Sequence, residues 1–70
     1  MCKPNTFYFN GQEYFTFEFI TLSDLLNYFD YKSALFVLEH NDYICNKSEW
    51  HKIQIKENDK IEIISIVGGG

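Results

Sequence analysis

The chain has no arginine, a single proline and only two cysteines among its 70 residues. Six lysines stand against ten carboxylates, a net charge of −4. An acidic surface without arginine is poorly suited to a phosphate backbone, so no nucleic-acid partner is expected. The same acidity suits a basic protein surface. No apolar run approaches the roughly 18 residues of a membrane span, and no signal or transit pattern opens the chain. A soluble protein in a reducing compartment is therefore expected, with no disulfide between Cys2 and Cys45. Close Cys or His pairs of zinc-site spacing are missing too. Cys2, Cys45, His40 and His51 are scattered, so no metal is expected. The carboxylates Glu39, Asp42 and Glu49 read as a solvated surface rather than an acid/base pair. These absences leave no candidate catalytic residue.

Aromatic bulk is what the sequence does have: seven Phe, five Tyr and one Trp. A domain of this size needs a dense core, and large rings supply it. In TFYFNGQEYFTFEF, apolar residues alternate on both sides of Asn10-Gly11, the strongest short hairpin signal. Thr21 and Asp24 form a capping pattern ahead of Leu22, Leu25, Leu26 and Phe29, a helical stripe ending near Asp30 or Tyr31. ALFVLEHN reads as a third strand, with Phe36, Leu38 and a partly buried His40 on one face. Asn41-Asp42 is a turn, and Tyr43–Cys45 pairs briefly as a short strand. NKSEW is a helical turn that anchors Trp50, Ile53–Ile55 is extended, Glu57–Lys60 turns, and Ile61–Val67 is a β-branched strand. The pattern predicts an α+β roll: a mixed sheet of four to five strands with one main helix packed on one face. The expected sheet core is Phe7, Phe9, Phe15, Phe17, Phe19, Phe36, Leu38, Ile61 and Ile63. Cys45, in a short apolar strand, is expected to pack rather than react.

The sequence then ends in Val67-Gly68-Gly69-Gly70, glycines with no later element to turn towards. The expected organisation is one domain over 1–70, with 67–70 a flexible tail. Those four residues span at most about 14 Å when extended. Without Cβ atoms such a tail can thread a narrow channel.

Four stretches carry a resemblance that covers essentially the whole chain. They are FNGQ; ITLSDLL; Asn41, Ile44 and Trp50 in the pattern N-x-x-I-x-x-x-x-x-W; and END-KIEII-x-x-VGGG. Together they resemble the ThiS family, the ubiquitin-like sulfur carriers of thiamine biosynthesis. Asn46-Lys47 stands where that family often has Pro-Arg, and Glu57-Asn58-Asp59 where it often has Asp-Gly-Asp. The resemblance implies a β-grasp fold and a carrier that is not itself an enzyme, with no permanently bound cofactor. It implies that the Gly70 carboxylate is adenylated by a ThiF-type adenylyltransferase using ATP. Sulfur from a donor enzyme then makes a thiocarboxylate, which delivers it to thiazole synthase (ThiG). Val67, Gly68 and Gly69 would be the recognised tail.

Alternation puts Tyr8, Val37, Ile64 and Ile66 on the sheet face turned away from the helix, with Glu39 and Glu62 near them. This is the expected docking patch. Three other readings remain open: the small subunit of molybdopterin synthase, a ubiquitin-like modifier joined to lysines through Gly70, and a plain interaction module. Arg, Ala and Pro are scarce while Lys, Asn, Ile, Phe and Tyr abound, as in AT-rich genomes. Cytoplasm, or plastid stroma for an organelle-encoded chain, is the expected location.

Overall fold

The computed structural model describes residues 3–31 and 36–65. The elements run β1 (Asn5–Phe9), β2 (Gln12–Thr16), α1 (Leu22–Tyr28), β3 (Phe36–His40), β4 (Tyr43–Cys45), a 3₁₀ turn (Lys47–Glu49) and β5 (Lys60–Ser65). One five-stranded sheet has the order β2-β1-β5-β3-β4. The central pair β1–β5 is parallel, and the other pairs are antiparallel. The predicted third strand begins at Ala34 and the predicted last strand ends at Val67; 34, 35, 66 and 67 lie outside the described residues.

Local chemistry explains each boundary. Asn10 and Gly11 both take positive φ, 53° and 80°, as a two-residue hairpin turn requires. Asn41 and Asp42 repeat the device between β3 and β4, at 54° and 72°. The capping box is complete: the Thr21 hydroxyl accepts from Asp24 N–H at 3.2 Å, and Asp24 Oδ2 accepts from Thr21 N–H at 2.9 Å. At the other end Asp30 takes a left-handed φ of 62°. Tyr31 N–H then bonds to the Leu26 carbonyl and Asp30 N–H to that of Asn27, closing the helix in a Schellman arrangement.

Leu22, Leu25 and Leu26 are buried in one core with Phe7, Phe9, Leu38 and Ile61 of the sheet and Ile55 of the segment before β5. Trp50 is buried beneath the 3₁₀ turn, stacked on Phe36 at 5.6 Å, and its indole N–H donates to the Cys45 carbonyl. Ile63 and Phe36 pack at the core's margin.

Three residues of the expected core are not in it. Phe15, Phe17 and Phe19 are 65%, 66% and 83% exposed. The cause is the length of the turn. With two residues between the strands, Phe9 lies opposite Gln12 and Phe7 opposite Tyr14. Odd positions of β1 therefore share a face with even positions of β2. Tyr14 takes the inward place, stacked on Phe7 at 5.9 Å and edge-on to Phe29 at 5.2 Å. Phe15 lies opposite Thr6 on the other face. Tyr14→Ala should thus cost about 3 kcal/mol, whereas Phe17→Ser should stay within about 0.5 kcal/mol. Urea unfolding of the two variants checks this, and the reverse order would return Phe17 to the core.

Candidate functional site

The site starts from β5, whose last described residue, Ser65, leads into 66–70. Ile66, Val67, Gly68, Gly69 and Gly70 lie outside the described residues. On the sheet face away from α1, Val37 is directly opposite Ile64 across the β3–β5 ladder. Ile64 is 40% exposed. Tyr8 shares this face but is level with Lys60, four positions back along β5, roughly 13 Å from Ile64. The fold thus brings two members of the expected patch together and sets the third at the other end of the strand.

The charged residues fill the space between them. Glu39 is directly opposite Glu62, a like-charge pair that works against the sheet. Lys60 relieves it in part. Its ammonium lies 3.1 Å from Asp42 Oδ1. The bond to Asp42, then its charge, followed by those of Glu62 and Glu39, push the lysine pKa above its ordinary value. Ile44, opposite Glu39, is exposed on the same face and was missed as a patch member. Its signal was available: a two-residue turn at Asn41-Asp42 puts positions 39 and 44 on one face. The result is an apolar strip of Val37, Ile44 and Ile64 beside two carboxylates, a surface that fits a partner with apolar and basic contacts.

The underside of the same ladder holds a buried polar cluster. Asp59 is 7% exposed. Its Oδ2 accepts from Lys56 N–H at 2.8 Å and from His40 Nε2 at 2.9 Å, and its Oδ1 accepts from the Asn41 amide at 3.0 Å. The Asn41 carbonyl oxygen in turn accepts from Lys60 N–H at 2.8 Å. Burial alone would raise the Asp59 pKa, but bonds from Asn41, His40 and Lys56 outweigh it and leave the carboxyl below its ordinary value. The cluster has no nucleophile in it. Its work is positional: the Asp59 carbonyl accepts from Tyr8 N–H, so the cluster sets where β5 begins against β1. His40 is partly buried, as its strand phase predicts.

Cys45 is a free thiol. Burial first, and the charge of Glu49 second, push its pKa up, so it is a neutral packing group at pH 7. Cys2 lies outside the described residues. Among the described residues no three His, Cys, Asp or Glu side chains gather as metal ligands. No described helix is long and apolar enough to cross a membrane.

A family model, that of the ThiS family, matches residues 7–70. The chain belongs to the ThiS family. Within reach of it are the uncharacterized protein ycf40 of Trieres chinensis, 65% identical over 93% of this chain and 89% of its own length, and the ycf40 protein of Porphyra purpurea, 39% identical over 87% and 86%. The sulfur carrier protein ThiS of Bacillus subtilis (strain 168) is 34% identical over 71% of this chain and 76% of its own. In three dimensions, the crystal structure of the thiamine biosynthesis protein ThiS from Geobacter metallireducens superposes with a TM-score of 0.78. It covers 93% of this chain and 99% of that one, at 20% identity. That likeness establishes the β-grasp fold, a mixed five-stranded sheet with one helix. The ThiS match extends through Gly70, so it includes the tail as well as the folded part.

Proposed function

We infer that this ThiS-family chain is a sulfur carrier for the thiazole ring of thiamine, working through the carboxylate of Gly70. The observation that carries this reading is the family match running unbroken from Phe7 through the terminal glycines. The Bacillus relative, a sulfur carrier protein by name, supports it. The chain is then a cosubstrate passed between enzymes, one domain with 67–70 as its reactive arm. No cofactor resides in it, and ATP is spent by the activating partner. Plastid stroma is the location in this reading, because its ycf40 relatives carry a name given to plastid genes.

The chemistry asks little of the carrier beyond an accessible end. A C-terminal carboxylate, with a pKa of about 3.3–3.7, is an anion at neutral pH and resists nucleophiles. A ThiF-type adenylyltransferase joins a Gly70 oxygen to the α-phosphorus of ATP, and pyrophosphate leaves. Sulfide-level sulfur, delivered by a donor enzyme, attacks the acyl carbon, which is now uncharged and bears a good leaving group; a C–S bond forms as the C–O bond to AMP breaks, leaving a thiocarboxylate. Thiazole synthase then takes the sulfur. Val67, Gly68 and Gly69 carry the carboxylate into each active site. Val37, Ile64 and Ile66, with Tyr8 at the far end of the face, supply docking energy beyond what four tail residues bring.

The test is the intact mass after incubation with ATP, a sulfide source and the adenylating enzyme. A gain equal to exchange of one oxygen for sulfur, localised to Gly70, is expected. A folded chain with no adenylate and no mass change overturns the reading, and isopeptide adducts on lysines would replace it with a modifier. A second prediction concerns the docking face. Ile64→Lys should raise the KM for adenylation at least about tenfold, the loss of one central apolar contact, with kcat little changed. An unaltered KM would remove Ile64 from the docking surface.

A further inference from the structure

Phe15 of β2, and Phe17 just past its end, are exposed at an edge of the sheet, since the strand order places β2 outermost. Which of its backbone groups are free follows from β1. Tyr8 and Asn10 donate their N–H groups towards β5, to the carbonyls of Asp59 and Ile61 at 2.8 and 2.9 Å. Alternation then turns the odd residues of β1 towards β2, bonded to Gln12, Tyr14 and Thr16. Glu13 and Phe15 direct their N–H and C=O groups outward, away from the sheet. Among the described residues no strand pairs with this edge, which leaves a template for another strand.

Both layers present aromatic surface along this edge. On the outer face Phe15 and Phe17 meet edge-to-face at 6.1 Å, and both are about two-thirds exposed. On the helix side Tyr28 is exposed, and a groove of about 370 Å³ runs between β2 and α1 with Tyr14, Phe29, Glu18 and Asp24 in its walls. The charges there have one sign: Glu13 on the strand, and Glu18 and Asp24 at the groove, which no lysine lines. A second copy of this chain would bring the same carboxylates and another net charge of −4, so self-pairing is opposed.

We propose that the β2 edge binds an extended segment of a partner protein, alternating apolar and basic, as a sixth antiparallel strand. Its main chain pairs with Glu13 and Phe15. Its apolar side chains cover Phe15 and Phe17, and its basic side chains reach over the groove to Glu18 and Asp24. Alternate side chains of an added strand fall on opposite faces, so one set meets Phe15 with Glu13 beside it and the other meets the groove, whose aromatic walls include Glu18 and Asp24.

This surface is remote from Ile64. Phe15 is level with Thr6, and in the parallel register Ile64 lies six positions further along the sheet, roughly 20 Å away. A carrier held at its β2 edge therefore keeps its Ile64 face and its tail free for an enzyme. The binding stands apart from the carrier reading, and shortening the tail leaves it intact.

The test titrates the isotope-labelled full chain with a seven-residue peptide alternating lysine and isoleucine, and with a matched peptide in which glutamate replaces lysine. Expected are amide shifts centred on Glu13, Phe15 and Phe17, slowed exchange of the Glu13 and Phe15 amides, and no binding of the glutamate peptide. Phe15→Ser, at an exposed position that the fold does not need, should weaken binding about tenfold, and so should Glu18→Lys, while removal of 68–70 should not. Shifts at Tyr43 and Ile44 on the opposite edge, or on the Ile64 face, overturn the proposal. So do equal binding of both peptides, no binding, or a dimer in the free chain that Phe15→Ser dissolves.

Discussion

Asp59→Ala is expected to leave a large share of the chain unfolded at 25 °C. The substitution removes the one acceptor shared by Lys56 N–H, the Asn41 amide and His40 Nε2. Three donors then lose their acceptor at a part-buried position. Unpaired buried groups cost about 1–3 kcal/mol each, with partial relaxation, so a net loss of about 3 kcal/mol is a fair expectation. A core of this size commonly supplies only about 3–5 kcal/mol in all. Circular dichroism and urea unfolding read the result directly. Asp59→Asn should fall between, since one oxygen remains to accept while its amide faces donors.

The same carboxyl gives a pH signature whose sign is fixed. Its pKa in the folded chain lies below the ordinary value, about 3.9 for an unfolded aspartate. A depressed folded pKa stabilises the chain at pH values above the unfolded one. That stability is lost as pH falls through the folded value, because the unfolded chain takes up the proton first. Wild type should therefore lose stability below about pH 4 more steeply than Asp59→Asn, which has no proton to gain there. Parallel curves for the two would mean that the cluster holds its carboxyl no more tightly than water does.

Much of this architecture is legible in the residue pattern, and the parts that are not have separate causes. The helix could be placed because its signals are local: Thr21 and Asp24 satisfy each other's backbone within one turn, and four apolar residues share a stripe. The hairpin was legible from Asn10-Gly11 for the same reason. Which side of β2 faces inward is a different kind of fact. Alternation groups Phe15 with Phe17 but does not say which face the group takes. Hydrophobicity favoured the phenylalanines, whereas the two-residue turn, which fixes the register, favoured Tyr14. A phenol can line a core margin with its hydroxyl outward, so nothing in the composition weighed against the wrong choice. Asp59 was hidden more deeply. A carboxylate in a turn-like run of Glu57-Asn58-Asp59 reads as solvent-facing, and its three donors come from segments up to 19 positions away. On the outer face the parity of β3 and β5 put Val37 beside Ile64. It could not show that Tyr8 sits at the far end, because that depends on the stagger of the parallel β1–β5 pair.

Deletion of Gly70 should abolish adenylation while leaving the fold untouched. The carboxylate would then belong to Gly69, one residue short, about 3.5 Å from where the partner's ATP site receives it. In-line attack on phosphorus tolerates little misplacement, and an error of about 1 Å can already cost about a hundredfold. Gly69→Val should cut the rate by a similar factor for a different reason: a β-branched side chain narrows the accessible backbone and widens an arm that must pass a channel. Pyrophosphate release measures both, and an unchanged urea midpoint separates them from unfolding. The contrast with Ile64→Lys locates each contribution. On the proposed reading, docking through the sheet face precedes the reaction, so its loss should raise KM. The tail's fit is needed when the carboxylate attacks, so its loss lowers kcat. Full activity without Gly70 would mean that the chain is activated elsewhere. A KM effect from the tail variants alone would mean that the glycines bind the partner rather than deliver the reacting group.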